Sequence, residues 1–167
     1  MMVRGRTFPL LFVGLAMTLI SGCGTGHDDA VRAVRAYDEA LIRAYRASDI
    51  SALKAVATEA EVKRLFVLID LKRSNGLVLE STLEGLRVIS EQKSGEKAMV
   101  VETRERWRYY DRPLEPGRQL GQVFVADMSM RYHLVLDEEN WKVDHGETLS
   151  STYLEPRGFA PGKNHGS

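Results

Sequence analysis

Apolar side chains recur at spacings of three and four from Val31 onward: Val31, Val34, Tyr37, Leu41, Ile42 and Tyr45. That spacing lays one buried stripe along a helix, and Asp28 or Asp29 can cap its start. Ser48-Asp49 offers a new N-cap and predicts a shorter helix carrying Ile50, Leu53 and Val56. A third predicted helix passes through Val62, Leu65, Phe66, Leu68 and Ile69 and stops at Asn75-Gly76. From Leu77 the rhythm changes to period two, the pattern of strands. LVLESTLEGLRVISEQ turns at Lys93-Ser94-Gly95 into EKAMVVETRERWRYY, and QVFVADMSMRYHLVL turns at Glu138-Glu139 into WKVDHGETL. The DRPLEPGRQLG segment between the two hairpins is a loop, because its prolines and glycines oppose regular pairing. Three helices followed by a four-stranded antiparallel meander predict an α+β domain, with the helices packed on one face of a curved sheet.

Ahead of these elements the pattern is different. Arg4 and Arg6 precede an apolar run from Phe8 to Ile20, and Ser21-Gly22-Cys23 follows. A basic head, a short apolar middle and small residues describe a secretory signal peptide. As a helix the run spans about 20 Å, short of a hydrocarbon core of roughly 30 Å. Ile20-Ser21-Gly22-Cys23 resembles the lipobox of bacterial lipoproteins. In that family the signal is cut before the cysteine, whose thiol takes a diacylglycerol. Thiolate nucleophilicity explains why this residue is a cysteine, and several acyl chains anchor far more firmly than one. The expected organisation is a signal peptide over 1–22, a lipidated Cys23 and tether over 23–29, the folded domain over 30–150 and a disordered tail over 151–167. Such a chain would sit on a cell membrane or outer membrane, facing the periplasm or the cell exterior. Gly24 after the cysteine leans toward the outer one.

Charge and composition narrow the function. The 23 basic and 23 acidic side chains balance, and loss of Arg4 and Arg6 leaves the mature chain near −2. This gives no basic excess of the kind nucleic acid requires. Cys23 is the one cysteine, so no internal disulfide forms. No H-E-x-x-H, cysteine pair, G-x-S-x-G or P-loop is present, and neither a metal nor a cofactor is expected.

The segments E102-T-R-E-R-W107-R-Y-Y110, M130-R-Y-H-L-V-L136 and N140-W-K-V143 follow the helices in a fixed order. This arrangement resembles the cone-shaped, cystatin-like fold of nuclear transport factor two and ketosteroid isomerase. Within it, the chain is most similar to the plastid-division intermembrane-space domain and its bacterial relatives. The resemblance covers about Ala30 to Leu149. The lipid anchor and the absence of an upstream division-protein region depart from that pattern, so a division role does not carry over.

Such a cone can enclose a pocket between helices and sheet. With a two-residue turn at Glu138-Glu139, Leu136 should face Trp141, Leu134 should face Val143, Tyr132 should face His145 and Met130 should face Glu147. The expected pocket lining is Tyr37, Tyr45, Glu105, Trp107, Tyr109, Met130, Tyr132, Trp141 and His145. Histidine beside tyrosine and carboxylate can move protons near neutral pH, and the superfamily's isomerases and dehydratases use such groups. An isomerase or dehydratase using Tyr132, His145 and Glu105 is therefore one reading. The favoured one is a non-catalytic binding or assembly module, whose partner is an envelope protein or a small apolar ligand and which can form a homodimer. On the opposite sheet face, Glu102, Arg104, Arg106 and Arg108 form a charged stripe. A three-residue first turn would set Glu84 across from Arg104 and Glu80 across from Arg108, explaining the stripe by cross-strand pairs.

Overall fold

The computed structural model describes residues 25–154, with side chains from Asp28 onward. Cys23, the expected signal peptide and the segment beyond Leu154 lie outside the described residues. Thr25–Ala47 forms α1 and Glu59–Ser74 forms α2. Four strands follow: β1 (Leu77–Lys93), β2 (Ala98–Pro113), β3 (Phe124–Asp137) and β4 (Asn140–Leu154). The strands pair antiparallel in the order β1-β2-β3-β4, and both helices pack on the sheet against β1 and β4. The chain is thus an α+β fold of two helices on an open four-stranded sheet.

Three boundaries differ from the sequence reading. The predicted middle helix is only a single 3-10 turn, Ser51–Leu53. Asp49 does act at its start, accepting from the Ser51 amide at 2.9 Å and the Ser51 hydroxyl at 2.7 Å. The turn cannot lengthen because the backbone after it is claimed by β4: Val143 donates to Val56 O at 2.9 Å, and Thr58 donates to Val143 O at 3.0 Å. α1 starts at Thr25, inside the expected tether, and β4 runs to Leu154, beyond the expected domain end at 150.

Local chemistry accounts for the ends of α2. Thr58 takes extended backbone and its side chain accepts from the Glu61 amide, an N-cap, while Gly76 adopts φ +70° just past the C-terminal end. The core lies between the helices and one sheet face, and its centre is Val34, Tyr37, Leu53, Val101, Tyr132 and Val143. Tyr37 and Tyr132 meet edge to face at 5.9 Å between ring centres.

Bulges change the register from that expected. Leu136 faces Trp141 and Leu134 faces Val143 as read, but a bulge at Asp144 then sets His133 against His145 and Tyr132 against Gly146. The same bulge leaves Arg131 facing Glu147 and Met130 facing Thr148, and a second one, at Leu149, sets Ser129 against Ser150. His145 and Glu147 therefore miss their expected partners. The first bulge falls where Val143 bonds to the 56–58 segment and Asp144 accepts from Thr58 Oγ1 at 2.9 Å. A strand serving a third partner needs the extra residue there, and the bulge also bends it. Between β1 and β2 the turn is longer than expected, with Lys93 opposite Met99 and Ser94 N donating to Ala98 O at 2.8 Å. After two small irregularities Arg87, not Glu84, therefore stands opposite Arg104, and Thr82 opposite Arg108.

Candidate functional site

A cavity of about 410 Å³ opens between α1, α2 and the inner face of the sheet. Its walls are largely apolar: Leu41 and Tyr45 come from α1, Leu65 and Leu68 from α2, Leu79 from β1 and Met128 from β3. Of the residues expected to line a pocket, Tyr37, Tyr45, Glu105 and Trp107 lie on this cavity, as do Tyr109, Met130 and Tyr132. Trp141 and His145 do not. Trp141 packs near the N-terminal half of α1, beside Ala33 and Ala36, at the opposite end of the β3–β4 hairpin from β4's free end. His145 is displaced by the Asp144 bulge; its Nδ1 lies 4.0 Å from Glu61 Oε2 and its ring beside His133.

Two buried carboxylates that sequence reasoning missed complete the site. Asp38 lies on the same face of α1 as Val34 and Leu41, four residues after one and three before the other. Glu61 lies on the same face of α2 as Leu65 and Ile69. Each is 1 % exposed. The helical spacing that identified the apolar stripes runs through both positions, so periodicity alone could have flagged them.

Glu105, 3 % exposed, is held by three neutral donors. Thr103 Oγ1 donates to its Oε1 at 2.6 Å, Tyr132 Oη donates to the same oxygen at 2.8 Å, and Trp107 Nε1 donates to Oε2 at 2.7 Å. No cation among the described residues compensates it directly. Donors of this kind can satisfy a buried carboxylate without a salt bridge. Tyr132 Oη also lies 3.2 Å from Asp38 Oδ1, while Asp38 Oδ2 has no hydrogen-bond partner. The Tyr132 hydroxyl carries one proton and cannot donate to both acids. A protonated Asp38 resolves the geometry: it donates to Tyr132, which donates to Glu105. Burial, and then repulsion from Glu105, push the Asp38 carboxyl well above the usual aspartate range, against a smaller opposing effect of the Tyr132 bond. Burial and the two acids likewise raise the Tyr132 phenol.

The second polar cluster is ionic. Tyr37 Oη donates to Glu61 Oε1 at 2.5 Å, and Arg64 grips both carboxylate oxygens, with Nη2 at 2.6 Å and Nε at 2.7 Å. Burial and the bond to Glu61 drive the Tyr37 phenol upward. Arg64 is 42 % exposed and borders the cavity, so it links a buried acid to solvent.

The Asp38 environment makes stability depend on pH. An unfolded aspartate titrates near pH 4. Above that pH and below its raised folded value, folded Asp38 keeps a proton that the unfolded chain has released. Stability therefore falls as pH rises through this window. Asp38→Asn keeps a donor and removes the titration. The variant is expected to melt at a higher temperature than wild type at pH 7, with the gap closing toward about pH 4. Equal melting at both pH values would show that folded Asp38 is ionised.

No protein-family model matches the chain, and no curated protein matches it. Among solved structures, it is similar to the intermembrane space region of the chloroplast protein ARC6, with a TM-score of 0.65 and 20 % identity over 72 % of this chain and 94 % of that one. At this identity the likeness establishes a shared fold.

Proposed function

We propose that the chain is an envelope lipoprotein, held at a membrane by lipid on Cys23, whose folded domain is a non-catalytic binding module for a small, mostly apolar ligand. The observation that carries this reading is the cavity: about 410 Å³ of space walled by Leu, Met and aromatic side chains over a floor of buried polar groups. A cavity of this size suits a compact ligand that leaves one polar group near Asp38, where Oδ2 is unpartnered. The lipobox-like Ile20-Ser21-Gly22-Cys23 supports the anchor. No helix among the described residues is long and apolar enough to cross a membrane. The shared fold with an intermembrane-space region agrees with a folded module on the far side of a membrane.

The structure weighs against the isomerase or dehydratase reading in its expected form. Tyr132 and Glu105 are hydrogen-bonded, but His145 is outside the cavity. The Glu105 oxygens are occupied by three donors, which ill suits a base that must reach a substrate proton. A protein partner is favoured by a different observation: Phe66, Val67, Leu68 and Leu71 of α2 are each at least 41 % exposed. Isolated exposed apolar residues are ordinary, but four on one short helix form a patch.

Intact mass spectrometry of the full chain, expressed with its signal and extracted from membranes, tests both parts of the reading. The denatured mass is expected to match a chain beginning at Cys23 plus acyl and glyceryl groups. The native mass should exceed it by a small adduct, and Leu41→Trp, which fills the cavity, should abolish that adduct. An unmodified cysteine would overturn the anchor. A native mass equal to the denatured one would overturn the ligand and favour the protein partner.

A further inference from the structure

The sheet face turned away from the helices carries side chains that the cavity does not use. Read across the strands, Ser90, Glu102, Arg131 and Glu147 form one row, and Arg131 bonds both acids. Four residues along β2, Gly85, Arg106, Asp127 and Thr152 form another, in which Arg106 grips Asp127 through two bonds of 2.7 and 2.9 Å. The row between them is Arg87, Arg104, Ser129 and Ser150.

That middle row breaks the pairing rule its neighbours obey. Arg87 and Arg104 stand directly opposite each other, an arrangement that like charges disfavour. Neither guanidinium has a hydrogen-bond or ion-pair partner among the described residues, and both are exposed. The surrounding acids are already engaged: Glu84 with Arg108 at 2.6 Å, Asp127 with Arg106, and Glu102 and Glu147 with Arg131. The two free cations border a trough of about 630 Å³ that also reaches Ser129, Ser150 and Thr152. Gly85 keeps this trough clear, since a side chain there would project into open space.

We propose that this trough is a binding site for a phosphate group, held between the Arg87 and Arg104 guanidinium forks with the Ser129 and Ser150 hydroxyls as further donors. Each fork can present two parallel N–H donors to an oxyanion. A phosphate monoester carries between one and two negative charges at neutral pH and several acceptor oxygens, matching two cations flanked by hydroxyls. A single carboxylate offers half the charge and would leave one guanidinium unneutralised. The occupant removes the repulsion that the unoccupied pair suffers, so binding should also stabilise the fold.

Isothermal titration of the full chain in a maltoside detergent, with inorganic phosphate against chloride at matched ionic strength, tests the site. Saturable binding is expected, weakened about tenfold by Arg104→Gln or by Arg87→Gln, each removing one charged fork. Arg87→Glu should abolish binding while melting no lower than wild type, because it turns a repulsive pair into an attractive one. Melting curves of the two glutamine variants, expected to lie no lower than wild type without phosphate because each removes one of two repelling charges, separate lost binding from lost folding. No saturable binding, or binding that both glutamine variants retain, would overturn the proposal. Glycerol phosphate and dihexanoyl phosphatidic acid distinguish the source: tighter binding of the lipid assigns the trough to a headgroup, and equal binding of all three assigns it to a soluble phosphate.

Discussion

Tyr132→Ala is expected to cost about 4 kcal/mol of folding stability, read as a shift in the urea midpoint at unchanged slope. The ring is 1 % exposed, sits edge to face against Tyr37 and faces Gly146, where an added Cβ would come within 3.4 Å of it. Truncation leaves a void at the centre of the core and removes the hydroxyl between Asp38 and Glu105. Folded domains of this size have only about 5–15 kcal/mol in hand, so the variant should lie near its threshold. Tyr132→Phe separates the two contributions. It keeps the packing and loses only the hydroxyl, for an expected loss of about 1–2 kcal/mol. If the phenylalanine variant lost as much as the alanine one, the hydroxyl network and not the ring would dominate.

Arg64→Ala should cost about 3 kcal/mol, although the side chain is 42 % exposed. An ordinary exposed arginine contributes within about 0.5 kcal/mol. Here the cation answers Glu61, which is 1 % exposed and would keep Tyr37 as its one close donor, with His145 4.0 Å away. Removing the cation leaves a buried charge short of compensation, whereas Glu61→Gln leaves a neutral amide and an arginine free to turn to water. The glutamine variant is therefore expected to lose less, about 1–2 kcal/mol. Chemical denaturation of both variants checks the order, and the reverse order would mean that Glu61 is carried by its surroundings without Arg64. A cycle with Tyr37→Phe would measure how strongly the three side chains act together.

The elements themselves were legible because their signals are local. Helix stripes at Val34, Tyr37 and Leu41, the Asn75-Gly76 stop and the two-residue turn at Glu138-Glu139 depend on residues a few positions apart. The inward set on β2, Met99, Val101, Thr103, Glu105, Trp107 and Tyr109, followed from period two. Asp38 and Glu61 were overlooked for another reason. Charged residues are ordinarily exposed, and their helical register was outweighed by their chemistry. Both proved compatible with burial only because tyrosines from other parts of the structure, and Arg64, supply partners.

The sequence by itself determined the α+β class, the order of helices and strands, and which face of β2 turns inward, since each depends on periodicity and turn chemistry within a short segment. Only the tertiary structure decided where the polar groups meet. The bulge at Asp144 arises because Val143 bonds to a segment more than eighty residues earlier. That one extra residue removes His145 from the cavity and sets Gly146 under Tyr132. On the other face, a first turn that closes with Lys93 opposite Met99 replaces the expected Glu84–Arg104 pair with Arg87 against Arg104. A single inserted residue transfers every later side chain to the opposite face, so register, and with it the composition of both sites, is fixed by contacts that no local pattern records.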